Sequence, residues 1–184
     1  MKYTREKLKK RFDSEESLKF LFFWGHTPSK DNSITKTCFS QWWQAAFVKD
    51  EFTYKTAEHF MMAEKALLFD DFEIRNQIVE SLHPAEAKKL GRKVKNFDNT
   101  IWNAHKFSIV KEANLLKFSQ HPDLKAFLLN TRNRIIVEAS PLDAIWGIGF
   151  AENDSEAQNP NLWQGENLLG FALMEVRDKL KLKV

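Results

Sequence analysis

Apolar residues fall along the 184-residue chain in short groups whose spacing changes from one to the next, and each spacing predicts an element. Residues 1–19 are charged and helix-permissive, and read as an arm. Phe20-Leu-Phe-Phe-Trp24 is a continuous apolar run closed by Gly25, which predicts a buried strand and then a polar loop to Thr35. Between Cys38 and Phe47 aromatics mix with Ser40 and Gln41 without a clean period; with Phe52-Thr-Tyr54 this predicts extended, paired segments. From Thr56, a capping residue type, Ala57, Phe60, Met61, Leu67 and Leu68 recur with helical spacing over 57–68. A helix over 71–82 follows, carrying Phe72, Ile74, Ile78 and Val79, and then a short one that Pro84 starts and Gly91 ends. A longer amphipathic helix over 99–118 offers Trp102, Phe107, Ile109, Val110, Leu115 and Leu116 to the core, and Pro122 opens another through Leu129. The β-branched run Ile135-Ile-Val137 predicts a strand over 134–139, followed by Pro141 and the glycine-punctuated Trp146-Gly-Ile-Gly149 loop. Residues 152–160 are polar and read as a mobile surface loop, and 167–182 form the closing helix. The sum is a mainly helical single domain with a few short strands, 20–184, preceded by the arm.

Composition narrows the classes. A 43% hydrophobic share with 16 Phe and 6 Trp supplies a real core and excludes a wholly disordered chain. No apolar run approaches the roughly 20 residues that span a bilayer. The N-terminus lacks the apolar stretch of a secretory signal, so a cytoplasmic location is the expectation. A single cysteine, Cys38, excludes an internal disulfide. With 28 Lys and Arg against 25 Asp and Glu the net charge is +3, too small for a dedicated nucleic-acid-binding face. The basic runs at 7–11 and 179–183 read as solvated helix faces and frayed ends. The five histidines, at 26, 59, 83, 105 and 121, lack ligand spacing, so no metal is expected. Phosphate-cradling glycine loops, paired CxxC, HExxH and the serine-hydrolase elbow are all absent.

Two stretches carry candidate chemistry. In Tyr54-Lys-Thr-Ala-Glu-His-Phe-Met-Met-Ala-Glu-Lys65, Glu58, Met62 and Lys65 stand at i, i+4 and i+7. An acid and a base then share one helix face roughly 10 Å apart, able to bracket a ligand. The alternative is an ordinary helix-start carboxylate and a solvated lysine. In Val137-Glu-Ala-Ser-Pro-Leu-Asp-Ala-Ile-Trp-Gly-Ile-Gly149 a strand ends in a proline turn, with Asp143 and Trp146 three apart in a loop. An acid and an aromatic face there suit a planar base or a sugar. Equally, Trp146 is a core anchor and Asp143 a turn cap.

Together with Trp24-Gly-His26, Phe39-Ser-Gln-Trp42, Ala87-Lys-Lys-Leu-Gly-Arg92, Trp102, Lys117-Phe-Ser-Gln120 and Asn167-Leu-Leu-Gly-Phe-Ala-Leu-Met-Glu-Val-Arg177, these stretches resemble the NADAR, or YbiA-like, family from about residue 20 to 180. The resemblance implies a mainly helical fold and N-glycosidase activity without a cofactor. Its expected substrates are small: phosphoribosylated aminopyrimidines of early riboflavin synthesis, or ADP-ribose attached to guanine. Nucleic acid enters only as an ADP-ribosylated substrate, and no membrane is involved; a non-catalytic ADP-ribose-binding module is the remaining alternative. The family's Thr/Ser-x-Glu-His motif falls on Thr56, Glu58 and His59, and its lysine on Lys65. Gly91-Arg92, Trp102, Asp143, Trp146, Gly147, Asn167 and Gly170 match its other motifs. Where members often have a glycine turn before a Tyr-Pro-Thr-type motif, this chain has Asp50-Glu51 and then Lys55. Breaking a ribosyl C1–N bond builds positive charge on the sugar, a demand two carboxylates fit, so Glu58 and Asp143 are the expected catalytic residues. Glu58 is expected to activate water or stabilise that charge, and Asp143 to hold the ribose hydroxyls or share acid–base work. The resemblance then implies Trp24, Gly25, His26, His59, Lys65, Arg92, Trp102, Trp146, Gly147 and Asn167 as the substrate-binding residues.

Overall fold

A computed structural model describes residues 1–31 and 33–182; Asn32 of the predicted loop, and residues 183 and 184 at the end of the basic run and of the predicted domain, lie outside it. In chain order the elements are α1 (Arg5–Asp13), β1 (Phe20–Phe23), a 3-10 turn (Lys36–Phe39), β2 (Phe47–Lys49), β3 (Phe52–Tyr54), α2 (Ala57–Leu68), α3 (Phe72–Glu80), α4 (Pro84–Gly91), α5 (Asn99–Gln120), α6 (Pro122–Leu129), β4 (Ile135–Glu138), a second 3-10 turn (Ser155–Gln158) and α7 (Leu168–Lys181). The protein is mainly helical with a few short strands, as the patterning predicts. Its chain divides into two compact units, Met1–Ser40 with Asp123–Val184, and Gln41–Pro122. Among the described residues no helix is long and apolar enough to cross a membrane.

The split unit is built on backbone pairing between distant segments. β1 runs parallel to β4, with Phe20 opposite Ile135 and Phe23 opposite Glu138. The Ile135 and Ala139 amides extend the ladder at its two ends, donating to Lys19 O at 2.8 Å and Phe23 O at 2.9 Å. α7 packs on β4, and its approach depends on Gly170, where an added Cβ would stand 2.1 Å from the Ile136 carbonyl oxygen. The arm is ordered: Thr4 caps α1 by accepting from the Lys7 amide, Leu8 is buried, and Tyr3 donates to Asp178 of α7 at 2.8 Å. The 152–160 stretch departs from the mobile loop expected of its polarity. Its 3-10 turn buries Ala157, whose carbonyl accepts the indole N–H of the buried Trp163 at 2.8 Å. Cys38 and Phe39 also depart from the extended prediction, closing a 3-10 turn that seats Phe39 against Phe23 and Phe127.

The continuous unit is a helical cluster centred on α2, which packs against α3, α4 and α5. Ala57, Phe60, Ala63 and Ala66 are fully buried, so small residues alternating with one large ring let the neighbouring helices approach on several sides. β2 and β3 form an antiparallel hairpin around Asp50-Glu51; Asp50 takes φ 53°, a left-handed position that Asp tolerates better than most residues. The Gln120 side-chain amide closes the hairpin's open edge, donating to Val48 O at 2.7 Å and accepting from Val48 N at 2.8 Å. α5 runs one half-turn past the predicted end, and its buried stripe is shifted: of the six core residues expected there only Val110 is fully buried. Ala113, Asn114, Lys117 and Phe118 take the inner face instead.

Candidate active site

In the continuous unit, the first turn of α2 holds both residues of the Glu-His pair. Thr56 caps the helix by accepting from the His59 amide at 3.4 Å. Glu58 follows at 3% exposure, and its amide donates to the Gln41 carbonyl at 2.9 Å. The partial positive charge of a helix N-terminus favours a carboxylate here. His59 is wholly buried with both ring nitrogens engaged. Nε2 faces the Ser81 carbonyl at 3.2 Å and must donate, so Nδ1, 2.8 Å from the Thr56 hydroxyl, accepts. Burial, and then the nearby positive charge of Lys55, push the imidazole down to about 4, which keeps it neutral. His59 thus ties the start of α2 to the turn between α3 and α4.

Two turns along α2, Lys65 donates to the Gly91 carbonyl at 2.8 Å, with its ammonium 4.2 Å from the Phe97 ring centre and 5.7 Å from that of Trp102. Burial lowers its pKa. Gly91 admits α2 closely: a Cβ there would press on the Met62 side chain. Arg92 is exposed at the C-terminus of α4, and Trp102 is half-buried on α5. The fold therefore gathers Lys65, Gly91 and Trp102 at one place and leaves Glu58 and His59 two turns away on the same helix.

In the split unit, the remaining candidates leave one end of the parallel pair. Trp24, Gly25 and His26 follow β1 and are exposed, with Gly25 at φ 78°. Asp143, Trp146 and Gly147 follow β4. Asp143 Oδ1 accepts from the amides of Ile145 and Trp146, both at 2.8 Å, so it caps its own turn. Gly147 is buried, and a Cβ on it would stand 2.9 Å from the carbonyls of Asp143 and Glu138. Asn167 is fully buried at φ 54°; its side chain accepts from Glu138 N and donates to Ile136 O, both at 3.0 Å, locking α7 to β4. These bonds engage both ends of the Asn167 amide within the fold.

Sequence reasoning assigned no role to a set of buried polar residues in the continuous unit. Asn114 donates to the Gln41 side-chain carbonyl at 2.8 Å, both are buried, and Lys117, one turn further along α5, is fully buried. Gln41 also carries the carbonyl that holds Glu58. The signal for Gln41 and Lys117 is their place in the motifs Phe39-Ser-Gln-Trp42 and Lys117-Phe-Ser-Gln120, whereas Asn114 lies on α5 outside the expected apolar stripe. Phe97, against Lys65, was missed because it lies in a short linker without periodicity.

Comparison with known proteins follows the same outline. The profile of the NADAR domain matches residues 22–181. The chain is 46% identical over 169 residues to N-glycosidase R617 of Acanthamoeba polyphaga mimivirus, covering 89% of this chain and 98% of that protein. It is 33% identical to the riboflavin biosynthesis protein PYRR, chloroplastic, of Zea mays, over 71% of this chain and 20% of that protein. The NMR structure of the E. coli protein YbiA superimposes with a TM-score of 0.70 at 28% identity, covering 90% of this chain and 88% of that one. The chain belongs to the NADAR domain family.

Proposed function

We propose that this chain hydrolyses the bond between ribose C1 and a base nitrogen in a phosphoribosylated aminopyrimidine of the kind formed in riboflavin synthesis. The chain is a hydrolase acting on N-glycosyl bonds, the class of its curated relatives. The aminopyrimidine is favoured by likeness to the maize riboflavin biosynthesis protein.

The observation that carries the chemistry is Glu58, a carboxylate at 3% exposure in the first turn of a helix, within the Thr-x-Glu-His motif. Breaking the C1–N bond sends its electron pair to the departing nitrogen and builds positive charge on the sugar ring. Glu58 stabilises that charge and takes a proton from the water whose oxygen bonds to C1, and the base nitrogen gains a proton. Asp143 is assigned the ribose hydroxyls: Oδ1 is held by two amides, which orients the carboxylate. Lys65 keeps two N–H donors beyond its bond to Gly91, and with Arg92 it is assigned the phosphate. Trp102 and Trp146 supply aromatic faces for the base, alongside Trp24, Gly25 and His26. His59, Gly147 and Asn167 act by positioning.

The test incubates the purified protein with a phosphoribosylaminopyrimidine and, separately, with ADP-ribosylated guanosine, following released base and sugar phosphate by mass spectrometry. The expected result is release from the first substrate, reduced about 10²–10⁴-fold in Glu58→Gln. Release from ADP-ribosylated guanosine alone would overturn the substrate assignment. Tight binding of either glycoside with no base release over long incubation would make the chain a binding module.

A further inference from the structure

A cleft of the split unit contains none of the candidate site residues described above. It has a volume of about 680 Å³ and lies between the end of the arm and the turn that leads from α6 into β4. Arg11, Lys19, Arg132 and Arg134 line it, with Asn130 and Asn133, and Glu16 is its one carboxylate. Glu16 is already taken, accepting from Arg11 Nε at 2.7 Å. Arg134 donates only to the carbonyls of Thr131 and Asn130, and Lys19 and Arg132 have no carboxylate partner among the described residues. With Arg11 paired to Glu16, the three remaining cations, Lys19, Arg132 and Arg134, make a donor-rich wall that calls for an anion.

The wall is built from beneath. Arg177 of α7 is 2% exposed and donates from one nitrogen to Thr131 Oγ1 and Arg134 O, both at 2.8 Å, which fixes the turn. Its Nε is buried without a hydrogen-bond partner among the described residues. The same guanidinium lines a second cavity of about 280 Å³ that shares Arg11, Glu16 and Asn133 with the cleft and adds Asp178, a carboxylate already bonded to Lys2 and Tyr3. A third, of about 180 Å³, shares Arg11 and Ile135 and is otherwise mostly apolar, with Leu8, Phe171 and Met174. The combined space exceeds what inorganic phosphate fills and falls in the range of small-molecule sites. The apolar chamber next to the cationic wall suits a ligand with an organic moiety.

We infer that this cleft is a second binding site, for an organic phosphate of nucleotide size, with the phosphates on Lys19, Arg132 and Arg134 and the organic part toward Leu8 and Met174. It lies where β1 and β4 begin, whereas Trp24 and Asp143 follow the ends of the same strands. The site therefore stands whether or not the glycosidase assignment holds.

Its test is titration of the ¹⁵N-labelled full chain with ADP, with inorganic phosphate, and with a 20-nucleotide single strand, following the amide resonances of residues 130–135. ADP should shift them saturably. The double variant Lys19→Gln/Arg134→Gln, checked for an unchanged melting curve, should bind at least tenfold more weakly, while the response of the Lys65 amide to ADP stays as in wild type. Absence of shifts at 130–135 in millimolar ADP, or undiminished binding by the variant, would overturn the proposal. Saturation by the oligonucleotide with no response to ADP would make the cleft a nucleic-acid surface instead.

Discussion

The two units carry their chemistry in different ways. In the continuous unit the candidate groups are side chains on regular helices, placed by the 3.6-residue period: Glu58 and Lys65 are seven apart on α2, and the Lys65 ammonium meets α4 and α5 through Gly91 and Trp102. In the split unit they sit on loops after strands, held by interlocked backbone: Asn167 bonds to β4 from both ends of its amide, and Gly147 and Gly170 stand where a side chain would strike a carbonyl. A helix needs only local order to set a side chain, whereas a loop needs distant segments to be docked first. Substitution should accordingly affect chemistry in the first case and folding in the second.

The widest separation is catalytic. Glu58→Gln removes a charge from the proposed reacting centre, while Asp143→Asn retains an Oδ1 that can accept the Ile145 and Trp146 amides. The first should lower kcat by at least 10²-fold and the second mainly raise KM, by about tenfold, in steady-state assays on the accepted glycoside. Comparable kcat losses in both would erase the distinction.

Gly170→Ala addresses folding in the split unit. Its Cβ would meet a β4 carbonyl at 2.1 Å and the Asn167 side-chain amide at 2.6 Å, and that amide is itself bonded to β4 from both ends, which leaves little room to yield. The expected destabilisation is about 3 kcal/mol, read by urea unfolding. A loss below 1 kcal/mol would show that α7 and β4 can separate freely.

The pH dependence of stability addresses the continuous unit. His59 titrates near 4 when folded and near 6.5 when unfolded, so the unfolded state binds its proton first as pH falls. Its contribution is complete above pH 6.5, declines through the window down to about pH 4, and is constant below. The full swing is up to about 3 kcal/mol. His59→Gln should be less stable at pH 7 yet flatter between pH 6.5 and 4, as followed by thermal unfolding at a series of pH values.

The smallest effect is at the hairpin. Asp50→Gly places at φ 53° the residue that prefers it, and should raise stability by no more than about 1 kcal/mol. Activity should be unchanged, because the turn only joins β2 to β3.

By itself the sequence determined the helices whose apolar spacing or end signals are strong. Residues 57–68, 84–91 and 122–129 were bounded correctly because capping threonine, initial proline and terminal glycine act within one turn. It also placed Glu58 in a first turn, and the family motifs were legible as words. Tertiary structure decided what those words do. That His59 braces a helix rather than standing open, that Asn167 turns inward to β4, and that Phe97 lies on Lys65 all follow from segments that meet only after folding. The same holds for the shifted stripe of α5: its hydrophobic positions allow several faces, and burial of Asn114 was settled by a polar partner, Gln41, 73 residues away. Periodicity reports which face of an element is apolar. Which polar groups are nonetheless buried depends on whether the fold supplies each with a partner, and that information is not local.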